Sequence, residues 1–209
     1  MNNLCKVAIV DYGAGNIGSV QNMLKRVGAE SCLAKSRSDI LSANLLILPG
    51  VGSFDYGIMK LRESKLLPYI EEAVFQNKIP ILGICLGMQL LTKGSDEGGL
   101  PGLGWIDAYA HKIERDDMFR VPHMGWNIAK PIVDIELTKG LHDSARFYFV
   151  HSYEVHCESA DNILFKTNYG TEFSSGIYKD NIFGVQFHPE KSHKFGMQLL
   201  RNFIGYSNA

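Results

Sequence analysis

The chain has 209 residues with 21 basic and 22 acidic side chains, and its net charge of −1 gives no electrostatic case for binding nucleic acid or an anionic membrane surface. With 45% hydrophobic and 21% charged residues it can bury a substantial core, which excludes wholesale disorder. No apolar run reaches the ~18 residues of a membrane span. The first residues meet Asp11 too early for a secretory leader, and Cys5, Cys32, Cys85 and Cys157 lack metal-ligand spacing, so a reduced, cytoplasmic setting is expected.

In chain order, Lys6–Val10 is a short β-branched run that enters a glycine-rich turn. Ile17, Val20, Leu24 and Val27 then recur at helical spacing, with Gly28 as the stop. Ser31–Lys35 reads as a second strand. Leu45–Leu48 and Ile79–Ile84 are apolar without alternation, which predicts strands buried on both faces of a parallel sheet. Between them Leu66, Leu67, Ile70, Ala73 and Val74 supply one helix face. Past residue 100 the texture changes to short aromatic-rich strands at 146–150, 163–167, 174–178 and 182–187. These predict antiparallel additions to the sheet or a small second sheet. Ser192 is the expected N-cap of a closing helix through Phe195, Leu199, Leu200 and Phe203. One α/β domain over 1–209 is the simplest account, a mostly parallel sheet flanked by helices with antiparallel strands added in the C-terminal half.

Two glycine motifs compete for the chemistry. Gly13, Gly15 and Gly18 fit G-x-G-x-x-G between a strand and a helix, where a dinucleotide fingerprint belongs. The acidic ribose-binding residue that should follow is replaced by Lys35, Ser36 and Arg37, which only a phosphate-bearing NADP would tolerate. The plainer reading is a tight turn. Gly83-Ile84-Cys85-Leu86-Gly87 is more specific. It places a cysteine between a strand and a helix with glycines two positions to either side, the pattern of a nucleophile elbow. There the helix N-terminus favours a thiolate and offers N–H groups to an oxyanion. A structural cysteine, the adequate reading for Cys5, Cys32 and Cys157, leaves Gly83 and Gly87 unexplained.

A cysteine nucleophile needs a base and a group to orient it. Of the seven histidines, His188 alone follows a strand-like run and has a carboxylate two residues on, Glu190, with Pro189 biasing His188 to extended backbone. The others take bland readings. His151 and His156 fall on one strand facing opposite sides, His123 sits in a packed loop, and His111, His142 and His193 are surface or cap residues.

The elbow and His188-Pro189-Glu190 resemble the class I (triad) glutamine amidotransferases, and the likeness runs over essentially the whole chain. Asp11–Asn16, Pro49–Gly52, Glu97-Gly98, Gly102–Gly104, Pro122–Asn127, Phe149–Tyr153 and Gln186–Ser192 carry it further. Among these, the 11–16 turn and the 122–127 segment are similar to the branch of glutaminase subunits that serve imidazole glycerol phosphate synthase in histidine biosynthesis. The resemblance implies a Cys85–His188–Glu190 triad, an oxyanion strand at Gly50-Val51-Gly52, and the N–H of Leu86 as second donor. It further implies that Gly50, Gly52, Gln89, His151, Ser152 and Tyr153 hold L-glutamine, and that no cofactor and no metal are used. The 13–18 glycine turn then lies towards a (β/α)₈-barrel cyclase partner, with Asn16 and Trp126 at the interface, which sets the dinucleotide reading aside. Simple core packing competes for Trp126.

Ammonia released to neutral water becomes ammonium, which has no lone pair for attack, so a dry passage to a second site is required. No stretch of this chain is left over to build that site, so a heterodimer is expected. Gly50 and Gly52 bracket Val51, so a flip of the Val51–Gly52 peptide would idle the isolated chain. The same triad would serve a paralogous glutaminase feeding amidation in nucleotide-sugar or surface-polysaccharide synthesis. An inactive, binding-only subunit is opposed by the intact triad.

Overall fold

The structure, a computed structural model, describes residues 6–114 and 119–208, so Cys5 lies outside the described residues. The first half runs β1 (Lys6–Val10), α1 (Ile17–Arg26), β2 (Glu30–Ala34), α2 (Arg37–Leu41), β3 (Leu45–Gly50), α3 (Phe54–Glu63), α4 (Leu67–Glu71), β4 (Ile81–Cys85) and α5 (Leu86–Leu90). The second runs β5 (Ala108–Lys112), β6 (His123–Ile128), β7 (Lys130–Pro131), β8 (Arg146–His151), β9 (Tyr153–Cys157), β10 (Ile163–Tyr169), β11 (Thr171–Lys179), β12 (Ile182–Val185) and α6 (His193–Gly205).

The main sheet has eight strands in the order β2-β1-β3-β4-β12-β11-β10-β7. The pairs β2/β1, β1/β3, β3/β4 and β4/β12 are parallel, and the last three strands add antiparallel. Both the added strands and separate small sheets exist, since β5/β9 and β6/β8 form two-stranded sheets of their own. β12, grouped by its aromatic texture with the antiparallel additions, is instead parallel to β4 in the register Val185↔Ile84. That pairing sets the segment carrying His188 directly beside the elbow.

β3 and β4 are buried at every position, as unbroken apolar runs require when helices cover both faces. Alternate side chains feed two cores. Ala8, Val10, Leu46 and Leu48 pack with Phe54, Ile58 and Leu61 of α3 on one face. Val7, Ile9, Leu45 and Ile47 pack with Val20 and Leu24 of α1 and with Leu199, Leu200 and Phe203 of α6 on the other. Each fully buried Leu or Phe contributes ~1.5–3 kcal/mol. Gly28, at φ +84°, stops α1, with the Ala29 N–H bonding back to Leu24 O at 3.0 Å.

Three local readings change. Ser192 precedes α6, but its hydroxyl makes no cap bond; it donates to His188 O at 2.5 Å and accepts from Tyr148 N at 3.0 Å. His151 and His156 belong to different strands, because the chain leaves β8 at Ser152 to pair as β9 with β5. His123 is the first residue of β6 and is 3% exposed. Among the described residues no helix is long and apolar enough to cross a membrane.

Candidate active site

Cys85 ends β4 and starts α5 with φ +55° and ψ −112°, a conformation non-glycine residues rarely adopt. The flanking glycines make the turn possible. A Cβ on Gly83 would sit 2.7 Å from Gly87 O, and one on Gly87 would overlap the Leu48 carbonyl oxygen. Gly50, opposite Cys85 in the β3/β4 register, is barred from a side chain too: its Cβ would lie 2.6 Å from Gly87 N. Two glycines on neighbouring strands and one in the first turn of α5 therefore leave room for one strained cysteine.

His188 is fixed through its backbone, donating from N to Tyr148 O at 2.9 Å and accepting the Ser192 hydroxyl at its carbonyl. Its Nδ1–H donates to Glu190 Oε1 at 2.8 Å, with side-chain exposures of 3% and 2%. Burial pulls the His188 pKa down, but Cys85 and Glu190 outweigh burial and lift it to about 9. The imidazolium is thus favoured beside a sulfur anion. Nε2 is buried without a hydrogen-bond partner among the described residues, the atom left to exchange a proton with the thiol. A resting site with that bond unmade is ordinary, since catalytic hydrogen bonds tighten when substrate is in place.

The thiol opens on a cleft of about 360 Å³. Val51, Gly52, Leu86, Gln89, His151, Ser152, Tyr153 and His188 all line it with Cys85, while Glu190 reaches it only through His188. Gly50 lies just behind them at the β3 end. Gly52 needs its glycine for another reason than Gly50 does: φ is +104°, while a Cβ would meet only Tyr56 at 3.8 Å.

Three residues to which the sequence reading gave no role of their own also meet here. Gln186 is fully buried, accepts the Gln89 amide at 2.9 Å and directs its own Nε2 to Cys85 Sγ at 3.7 Å. Glu97 lines the cleft, accepts from Phe54 N at 2.8 Å and puts a carboxylate on its wall. Tyr12, in the glycine turn, donates its hydroxyl to Pro49 O at 2.8 Å; burial first, then Cys85, raises its pKa. Only the periodic, adjacent features were visible in one dimension; these three meet the site from distant segments.

The 13–18 turn serves this brace. A Cβ on Gly15 would press on the Pro49 ring at 3.0 Å, whereas one on Gly18 meets nothing within 4 Å. The third glycine therefore does no close helix–strand packing of the kind a dinucleotide fingerprint uses. Asn16 is exposed at the start of α1, outside the cleft. Trp126 is 41% exposed and shares the outward face of β6 with Met124 and Ile128, so it is no core residue.

A family model described as Glutamine amidotransferase class-I matches residues 8–205. Imidazole glycerol phosphate synthase subunit HisH 2 of Methanococcus maripaludis is 52% identical over 198 residues, covering 95% of this chain and 98% of the relative. The subunit of the same name from Pseudomonas aeruginosa is 51% identical with the same coverage, and subunit HisH of Bdellovibrio bacteriovorus is 46% identical over 94% of this chain and 98% of its own. Among solved structures, PurLQS of Thermotoga maritima superposes with a TM-score of 0.73 at 19% identity, covering 96% of this chain and 98% of that one. A glutamine amidotransferase of the same organism gives 0.65 at 18% identity, covering 90% and 77%. The two solved structures bear on the fold.

Proposed function

This chain belongs to the class I glutamine amidotransferases, and from that premise we propose that it is the glutaminase subunit of an imidazole glycerol phosphate synthase, acting in the cytoplasm as a heterodimer with a (β/α)₈-barrel cyclase. The observation that carries the reading is the strained Cys85 elbow beside the buried His188–Glu190 pair.

Cys85 Sγ forms a bond to the side-chain amide carbon of glutamine while His188 Nε2 holds the thiol's proton. The oxyanion is met by the N–H of Leu86 and by an N–H of the Val51–Gly52 strand, each donor worth about 2.7–4 kcal/mol of barrier. His188 returns the proton to the leaving nitrogen, the C–N bond breaks, and ammonia leaves a γ-glutamyl thioester on Cys85. His188 then takes a proton from water, whose oxygen displaces the sulfur to give glutamate. Glu190 orients the ring and stabilises the imidazolium. Glu97 receives the substrate ammonium, and Gln89 with 151–153 holds the carboxylate end.

The ammonia passes as the free base into the cyclase, docked on the side of Asn16 and Trp126, and yields imidazole glycerol phosphate and an aminoimidazole carboxamide ribotide. A turn of the Val51–Gly52 peptide supplies the activating step, so the isolated chain is a weak glutaminase. The test is glutaminase activity of the wild type and Cys85→Ala, with and without the cyclase and its substrate. Strong partner-dependent activity lost in Cys85→Ala supports the reading, and full activity of the lone chain removes the activating step. A second reading, amidation in nucleotide-sugar or surface-polysaccharide synthesis, has one observation behind it: two of the relatives are numbered as second copies. The protein captured as partner distinguishes the two.

A further inference from the structure

Of two buried histidines that exchange no proton in the chemistry above, His151 lines the cleft and His123 stands behind it. His151 is 6% exposed and His123 is 3% exposed, and the Nδ1 of His123 lies 2.8 Å from the Nε2 of His151. At one end of the pair, His151 Nδ1 is 2.8 Å from Tyr153 O. At the other, Asn127 Nδ2 is 3.3 Å from His123 Nε2.

The proton positions follow from the two ends independently. Tyr153 O can only accept, so His151 carries its proton on Nδ1 and accepts at Nε2, and His123 must donate from its own Nδ1. From the far end, Asn127 Oδ1 accepts from Ile128 N at 2.8 Å and Asn127 Nδ2 donates to Asn168 O at 2.9 Å. That fixes the amide so that its remaining hydrogen faces His123 Nε2, which must be bare. Both ends give one arrangement: Asn127 to His123 to His151 to Tyr153 O. It requires both rings neutral. Burial keeps them so, pulling His123 to about 4 against the pull of Glu154 and His151 to about 3, with His123 and His188 lowering it further and the Tyr153 carbonyl opposing. The His123 ring is held flat between Tyr169, 3.9 Å away, and Phe149, 4.8 Å away.

The chain ends on a peptide carbonyl, which takes no proton at neutral pH, so this is not a proton wire to His188. What it fixes is a surface. Tyr153 O also accepts the Gln89 amide at 3.3 Å, and His151, Ser152 and Tyr153 form one wall of the cleft where β8 gives way to β9. Resting on the glutaminase reading, we propose that the Asn127–His123–His151 chain sets the wall at 151–153 that receives the amino-acid end of glutamine, making His123, which does not line the cleft, a positioning residue for the reaction.

The experiment has two arms on the full chain. Long-range ¹H–¹⁵N correlation should find His123 and His151 both in the neutral Nδ1–H tautomer at pH 7; an Nε2–H tautomer at either position overturns the proposal. In the second arm, Cys85 is labelled with a diazo-ketone analogue of glutamine, which carries the amino-acid end, and with iodoacetamide, which does not. His123→Phe keeps the stacked ring and loses the donor. It should raise the half-saturating analogue concentration about tenfold while changing the iodoacetamide rate less than twofold. His123→Asn, which returns an N–H near the Nδ1 position, should recover most of that loss. An unchanged analogue concentration in His123→Phe, or an equal fall in both labelling rates, overturns the proposal. Should His123→Phe fail to fold, His123→Asn and the tautomer arm still decide it. A wild-type chain that, even in the cyclase complex, is alkylated by iodoacetamide but never saturably labelled by the analogue would refute the glutaminase reading itself, while the tautomer arm reads the chain regardless.

Discussion

Glu190→Gln isolates the charge of the third triad member from its shape. The Nδ1–H of His188 points at Glu190 Oε1 from 2.8 Å, and both side chains are almost wholly buried. A glutamine can keep that bond through its own oxygen. What changes is the acceptor, from anion to neutral amide. A hydrogen bond to a charged group contributes about 1.5–3 kcal/mol and a neutral one about 0.5–1.5, so the loss is roughly 1–2 kcal/mol. It falls on the imidazolium, the protonated form, so the sign is a lowered His188 pKa. At 1.36 kcal/mol per unit the shift is about one unit, from about 9 towards about 8. The same energy is missing when the imidazolium protonates the leaving nitrogen, so kcat should fall about 5- to 30-fold. Two measurements check this: the alkaline limb of the glutaminase pH profile in the partner complex, and an NMR titration of the His188 ring. A limb that stays in place with kcat within twofold of wild type would refute the electrostatic role given to Glu190.

Other expectations follow from the same geometry. Gly87→Ala drives a Cβ into the Leu48 carbonyl, which is backbone and cannot swing aside; stability should drop by roughly 1–3 kcal/mol in urea unfolding, with Cys85 alkylation slowed in the protein that still folds. Gln186→Leu removes the amide that reaches Cys85 Sγ and leaves Gln89 one partner short; Cys85 alkylation at fixed pH should slow, and an unchanged rate would deny Gln186 any part in presenting the sulfur. Folded His123 and His151 stay neutral down to about 4 and 3, while unfolded histidines take up protons near 6.5. The unfolded state therefore binds more protons between those values, and stability is lost as pH falls. By pH 5 each ring should account for about 2 kcal/mol. Urea midpoints at pH 7 and pH 5 should converge in His123→Phe by about its own share, and an identical acid slope in the variant would contradict a neutral buried ring.

Much of this was legible in one dimension because its physical cause is local. Unbroken apolar runs at 45–48 and 79–84 require cover on both faces, and that alone implies a parallel sheet wrapped by helices. Glycines at 83 and 87 mark a backbone too crowded for a Cβ. A histidine and a glutamate two apart around Pro189 share one side of an extended segment. Each signal lies within a few residues of the feature it creates.

What the tertiary structure alone decided is long-range. Aromatic texture cannot tell an antiparallel strand from a parallel one, so only the pairing of β12 with β4 brings His188 to Cys85. Nothing near Gln186 announces the Gln89 amide it meets 97 positions away, and nothing near His123 announces His151. The strand interruption at Ser152 that separates His151 from His156 comes from pairing with two different small sheets, β6/β8 and β5/β9. Sequence periodicity reports which face of an element is buried. Which polar atoms are brought together inside depends on strand order and register, because a buried donor has to find its acceptor wherever the fold places one.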